Sequence, residues 1–330
     1  MTKLFTCSKM KKVDSRSTED RMKRLISLLL LITAFMCVLS GCIRPQLTIS
    51  PENEYSGEKV RIVTTMFPQY DWVRELMGEK AYLADITMIP DNGIDLHSFD
   101  PNEEERKAIS ECDIFIYNGG KSDAWVQEVL KDSSRTDRVV IDLMSLLRSQ
   151  SEPISDEHIW LSMRYAKTLC EGIAEALCQK MPDHRELFNN NLKIYCGKLT
   201  ELDSAYQDAV SEANRDTLFF GDKFPFYYLM KDYGIKYVAV ADECPAETDN
   251  DFEKILYVSK KMDEVGADVI LTMEYSGKKT AETVRINTAA KNQKIMSLHS
   301  MQSVTGREAW DMKYLTVMQD NLSTIKTALS

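Results

Sequence analysis

The chain has 330 residues, 44% of them apolar and 28% charged, with a net charge of −10 and a pI of about 5.1. That balance belongs to a folded globular protein rather than a disordered one, and the length suits two domains, because single cores stop growing at roughly 250–300 residues. The acidic balance and the lack of a Lys/Arg stripe in the body of the chain argue against a nucleic-acid partner.

The first element is a leader. Met22, Lys23 and Arg24 form a short basic stretch, residues 25–39 an apolar run rich in Leu, and Leu39-Ser40-Gly41 a small-residue step before Cys42. A basic start, an apolar stretch of about 15 residues and a small-residue cleavage site make a secretory signal peptide. The apolar run is short for a spanning helix, which needs about 20 residues. Cys42 after Leu-Ser-Gly resembles a bacterial lipobox, which implies cleavage before Cys42 and acylation of its thiol. The charged residues 1–21 sit awkwardly upstream, so Met22 makes the better start and the signal spans residues 22–41 of a leader covering 1–42. Residues 43–58 hold Pro, Ser, Asn and Gly without apolar periodicity and read as a flexible tether.

The body of the chain alternates strand-like and helix-like runs. Residues 60–66, 82–89, 114–117 and 139–143 read as strands, with helical patterns at 69–77 and 103–110 between them. Such alternation predicts a parallel sheet covered by helices. Asp100 and Pro101 read as an N-cap and N1 pair opening the helical pattern that includes 103–110. A long helix then interrupts the pattern: Phe188, Leu192, Tyr195, Leu199, Leu202, Tyr206 and Ala209 recur at alternating spacings of four and three. Residues 184–214 would run roughly 45 Å as a helix. A coiled coil is the alternative, and the flanking α/β segments argue against it. Strands resume at 217–220, 237–240, 269–273 and 294–298. The chain therefore divides into an N-terminal α/β lobe (59–182), a linker helix (183–214) and a C-terminal α/β lobe (215–330). Ligands of open α/β sheets bind beyond the carboxyl ends of the strands, so two facing lobes place a cleft between those ends.

Candidate ligands collect at these ends. The sequence contains 4 histidines: His97, His158, His184 and His299. His97 follows the second strand, His158 precedes a helical pattern, and His299 follows the last strand. His184 begins the linker helix and reads as a solvated or capping residue. Asp222, Glu247 and Glu274 follow successive strands of the second lobe. Imidazoles beside carboxylates suit zinc, and also manganese or iron. Beyond the leader, Cys112, Cys170, Cys178, Cys196 and Cys244 are odd in number and contain no Cys-x-x-Cys pair, which argues against a zinc ribbon. Cys170 and Cys178 lie about 12 Å apart along one helix, too far to bond to each other.

Several segments carry a family resemblance: LHSFDP at 96–101, CDIFIYNGGKSDAW at 112–125, DEHIWLS at 156–162, GDKFPF at 221–226, CPAET at 244–248 and LHSMQSV at 298–304. With the lipobox, they resemble the metal-binding lipoproteins of zinc and manganese ABC importers, in a branch found in Firmicutes. The resemblance covers nearly all of residues 59–329. It implies two lobes with four-stranded parallel sheets, a rigid linking helix and a metal in the cleft. It maps two first-lobe ligands onto His97 and His158. In the second lobe the chain departs from better-known members, with Asp222-Lys223 where they carry a His. Glu247 becomes the expected third ligand and His299 or Asp222 the fourth, with Glu274 a weaker candidate. No His-rich loop stands between Ser122 and Glu157.

The resemblance thus implies a monomeric protein that binds zinc as cargo, with manganese the alternative, tethered to the membrane by its N-terminal lipid and serving a separate permease and ATPase. Neither a Walker loop nor a multi-span segment occurs in the chain. An enzymatic reading, a secreted zinc hydrolase, lacks a His-Glu-x-x-His motif. A binder of organic ligands or metal chelates would line its cleft with Arg and aromatic residues instead of converging histidines.

Overall fold

The computed structural model describes residues 57–131, 135, 137–148, 153–241, 244 and 252–330. The leader, Cys42 and the tether up to residue 56 lie outside the described residues, as does Glu247. Residues 55–330 form one compact unit.

The first sheet is built from β1 (Val60–Thr64), β2 (Ala84–Met88), β3 (Ile114–Tyr117) and β4 (Val139–Asp142), in the order β2-β1-β3-β4. All neighbours are parallel, with Val60 opposite Ala84, Ile62 opposite Ile114 and Ile114 opposite Val139. The second sheet repeats the plan with β5 (Thr217–Phe220), β6 (Lys236–Ala239), β7 (Val269–Met273) and β8 (Lys294–Leu298), in the order β6-β5-β7-β8. β3 and β7 are buried at every residue, as expected of parallel strands covered on both faces.

Helices fill the crossovers. The first lobe contains α1 (Phe67–Met77), α2 (Glu103–Glu111), α3 (Val126–Lys131), α4 (Leu143–Leu146) and α5 (Met163–Lys180). Strand β1 stops at Thr64, two residues earlier than the apolar run suggests. Met66 already caps α1, and Pro68, in its first turn, costs no hydrogen bond there. The start of α2 also differs from expectation. Asn102, not Asp100, is its cap: the Asn102 side chain accepts from the N–H groups of Glu104 and Glu105, and Glu105 returns a bond to the Asn102 N–H. That reciprocal pair satisfies more of the helix's free amides than Asp100 could, and Asp100 pairs with Arg106 instead.

The long helix is α6 (Arg185–Ser211), 27 residues and about 40 Å. Its predicted stripe is real: Phe188, Tyr195, Leu199, Tyr206 and Ala209 are buried, with Leu192 and Leu202 partly so. The helix packs on α1, on α5 and on the C-terminal helix α11 (Tyr314–Leu329). The second lobe is completed by α7 (Tyr227–Tyr233), α8 (Phe252–Val265), α9 (Lys279–Asn287) and α10 (Gly306–Asp311).

One continuous core runs from Ile62 and Ile114 of the first sheet, through α5 and α6, to Leu218 and Leu271 of the second. Two smaller cores lie elsewhere in the sheets, one around Phe115 and Val126, the other around Phe219 and Val258. The long helix is therefore a wall shared by both lobes as well as their connection. Polar ties join the lobes near the strand ends: the Trp160 indole donates to the Ser300 carbonyl at 2.7 Å, and the Tyr314 hydroxyl donates to the Trp160 carbonyl at 2.6 Å. Among the described residues, no helix is long and apolar enough to cross a membrane.

Candidate metal centre

His97 lies in a short 3-10 turn (Leu96–Ser98) just beyond β2. Asp95 sets that turn by accepting the His97 N–H at 3.0 Å. His158 precedes a second 3-10 turn (Ile159–Leu161), and Asp156 accepts its N–H at 2.8 Å. In each segment, an Asp two residues ahead of the His fixes the backbone, so both rings leave the chain in defined directions.

The two rings meet with Nε2 atoms 3.3 Å apart. Their far sides are tied outward. His158 Nδ1 lies 2.9 Å from Asp156 Oδ1. A carboxylate only accepts, so Nδ1 carries a proton and Nε2 is the atom that faces His97. His97 Nδ1 lies 2.7 Å from Ser122 Oγ, and that hydroxyl donates to Glu157 at 2.5 Å. Ser122 has a single proton, already given to Glu157, so it accepts from His97 Nδ1–H. This too leaves Nε2 facing inward. Outer partners of this kind commonly orient metal-binding imidazoles.

The Ser122 loop is shaped for that relay. Gly119 and Gly120 follow β3 with φ of 91° and 86°, the left-handed region that glycine tolerates. A Cβ on Gly120 would sit 2.8 Å from the Glu157 carboxylate. Its absence lets Glu157 reach the backbone N–H groups of both Lys121 and Ser122. Asp123 closes the loop by accepting the Gly119 N–H at 2.8 Å, and burial pushes its carboxyl up to about 7.

A third group joins the pair from the second lobe. One ligand atom each of His97, His158 and Cys244 lie within 4.8 Å of one another. His158 is 3% exposed and Cys244 7%. Burial by itself would lower the His158 imidazole, but hydrogen bonds to Asp156 and Cys244 outweigh it and push it up to about 9. Burial would raise the Cys244 thiol, but hydrogen bonds to His158 and His97 bring it down to about 7. Thiolate and imidazolium each stabilise the other's charge.

At neutral pH the metal-free pair shares the His158 proton across this gap, and a cation that displaces it meets a nitrogen lone pair from each ring. Tetrahedral zinc, with Zn–N of about 2.0–2.1 Å, holds two nitrogens about 3.3 Å apart. The observed separation is that distance.

The other expected ligands stand elsewhere. The structure does not bring His299, Glu274 or Asp222 into this group. Glu274 accepts from the Ser300 N–H, the Ser300 hydroxyl and the Met301 N–H at 2.7, 2.6 and 3.1 Å. His299 Nδ1 accepts from the Met301 N–H at 3.0 Å and lies 3.4 Å from Glu274. Asp222 accepts from the Met273 N–H at 3.1 Å and from its neighbour Lys223. These carboxylates are committed to shaping loops. They border a cavity of about 470 Å³, lined by Asn92 and Asp95 of the first lobe and by Asp222, Glu274, Tyr275 and Glu308 of the second. His184 caps α6 without a side-chain hydrogen bond and packs near Phe188, far in sequence from the cluster. Cys244 is the residue that sequence reasoning did not count as a ligand; it stood there as an unpaired cysteine and as the first residue of the CPAET segment. The available signal was its place after β6, three residues before Glu247.

Comparison with known proteins gives a consistent picture. The chain is 24% identical to the high-affinity zinc uptake system protein ZnuA of Bacillus subtilis, over 91% of this chain and 97% of that protein. It is 26% identical to the zinc-binding lipoprotein AdcA of Streptococcus pneumoniae, over 90% of this chain but only 60% of that protein. The crystal structure of the Zn(II)-bound ZnuA-like domain of Streptococcus pneumoniae AdcA superposes with a TM-score of 0.68 at 25% identity, covering 82% of this chain and 99% of that one. The model of the family described as "Zinc-uptake complex component A periplasmic" matches residues 62–328. That match starts within β1 and ends in the last turn of α11; it takes in both sheets and the wall between them, and the chain belongs to that family.

Proposed function

We propose that this chain is an extracytoplasmic zinc-binding protein that captures the ion in the cleft and hands it to an ABC importer. The carrying observation is the imidazole pair: two Nε2 atoms 3.3 Å apart, each aimed inward by a hydrogen bond on its far side. His97 and His158 are the ligands from the first lobe. Glu247, from the segment after β6, is the proposed carboxylate ligand. The function is reversible binding rather than catalysis, with separate permease and ATPase chains as partners and a monomer as the working form. The zinc-related names of the relatives support the cargo, and the lipobox at Cys42 supports a lipid anchor on the outer face of the membrane. Manganese, which favours oxygen-rich octahedral sites, suits a buried imidazole pair less well.

Metal analysis of the full-length protein, followed by competitive titration with zinc and manganese, tests this reading. Stoichiometric zinc and a clear preference for zinc are expected. A chain that took up no zinc, or lost none of it on His97→Ala, would overturn the proposal.

A further inference from the structure

The second lobe meets the imidazole pair with sulfur. Cys244 follows β6, and its Sγ lies in one group with the two imidazoles, within 4.8 Å. Its position is held from a third direction. The Gln302 side-chain amide, itself 4% exposed, donates to Sγ at 3.4 Å and to Asp95 at 3.0 Å. Asp95 in turn sets the turn that carries His97. The thiol and the His97 ring are thus positioned through one connected set of hydrogen bonds across the cleft.

The other described cysteines have different surroundings. Cys112 donates to the Ile109 carbonyl, Cys170 and Cys178 are buried on α5, and Cys196 lies on α6. Among the described residues, Cys244 is the cysteine that shares a group with histidines.

We propose that Cys244 is a thiolate ligand to the ion held by His97 and His158, and that this sulfur makes the site select zinc and other thiophilic ions over manganese. The proposal rests on the zinc-capture reading and deepens it. At a tetrahedral zinc, with Zn–S of about 2.3 Å, nitrogen and sulfur stand about 3.5 Å apart. From at most 4.8 Å, an inward shift of about 1 Å completes that geometry. A buried thiolate is soft and polarisable and matches zinc, whereas manganese prefers carboxylate, carbonyl and water oxygens. The proton that leaves the thiol on binding passes to solvent, so zinc uptake releases it. The Gln302 N–H steadies the negative sulfur without displacing the metal, because a thiolate keeps further lone pairs.

Loading the full-length chain with Co(II) reports the sulfur directly, since a thiolate ligand gives a sulfur-to-cobalt charge-transfer absorption in the near ultraviolet. The parent chain is expected to show this band. Cys244→Ser should lose it and lose more than about 100-fold in zinc affinity, beyond the cost typical of an outer-shell partner. Its affinity for manganese should fall by less, which narrows the preference. Cys196→Ser should keep both band and affinity. A parent chain that binds cobalt and zinc through His97 but shows no band overturns the role of Cys244 and leaves zinc capture standing. Parent-like zinc affinity in a folded Cys244→Ser chain does the same. A parent chain that binds no zinc at all overturns both readings. The band is read on the parent chain, so it decides the matter even if the serine variant unfolds.

Discussion

The two lobes share one strand order and differ in how they use polar side chains at their strand ends. In the first lobe, Asp156 and Glu157 hold the outer sides of two histidines, Glu157 through Ser122, so that the Nε2 atoms face each other, and Asp95 sets the turn that carries His97. In the second, Glu274 and Asp222 spend their oxygens on backbone N–H groups of neighbouring loops. The difference shows that a carboxylate near a cleft is no guide to ligation by itself. A histidine tied on its outer nitrogen can present the other to an ion, whereas a carboxylate whose oxygens are spent on loop amides has little left to offer one.

The sharpest test of this contrast is removal of the imidazoles. His97→Ala and His158→Ala should each lower zinc affinity by well over about 100-fold, more than loss of an outer-shell partner costs. Competitive titration reads the affinity, and thermal melts check that the fold is kept. Retained affinity in either variant would end the assignment of that histidine as a ligand from the first lobe.

Glu274→Ala should show the opposite profile. It strands two backbone N–H groups and a hydroxyl in a site where Glu274 is 7% exposed, so a loss of about 2–4 kcal/mol in unfolding free energy is expected. Chemical denaturation measures it. Zinc affinity per folded molecule should fall far less than in the histidine variants. A stable Glu274→Ala chain with abolished binding would make Glu274 a ligand and erase the contrast.

Acid should weaken binding, with a distinctive pH range. His158 is pushed up to about 9, so the metal-free site still holds that proton at neutral pH, and zinc must displace it. Cys244, brought down to about 7, adds a second displaced proton below that pH. Apparent affinity should therefore rise most steeply below pH 7, more gently from 7 to about 9, and level off beyond. Titrations across this range check it. A plateau starting just above the ordinary imidazole pKa of about 6.5 would mean the Asp156 and Cys244 bonds do not control the site.

Smaller effects probe the relay. Ser122→Ala breaks the path from His97 to Glu157 while leaving both ligands in place, so a loss of about tenfold in zinc affinity is expected, within the range for outer-shell partners. His184→Ala, at the start of α6 and away from the cluster, should leave affinity unchanged and stability within about 0.5 kcal/mol.

Much of this protein is written locally. The alternation of apolar runs specified eight strands, and the spacing from Phe188 to Ala209 marked the long helix and its buried face, because side-chain periodicity follows directly from backbone geometry. The positions of His97 and His158 at loop starts were legible for the same reason. Boundaries were less so: whether Asp100 or Asn102 caps α2 depends on which side chain reaches the free amides, and only the folded turn decides that. Which side chains cluster at the cleft was decided by tertiary structure alone. His97, His158 and Cys244 are separated by 61 and 86 positions, and His299, the equal of the first two by sequence, turns its Nδ1 to the Met301 N–H beside Glu274. A ligand needs the right atom at the right distance with its lone pair free, and that is fixed by how two sheets and a shared helical wall pack, not by which residue follows a strand.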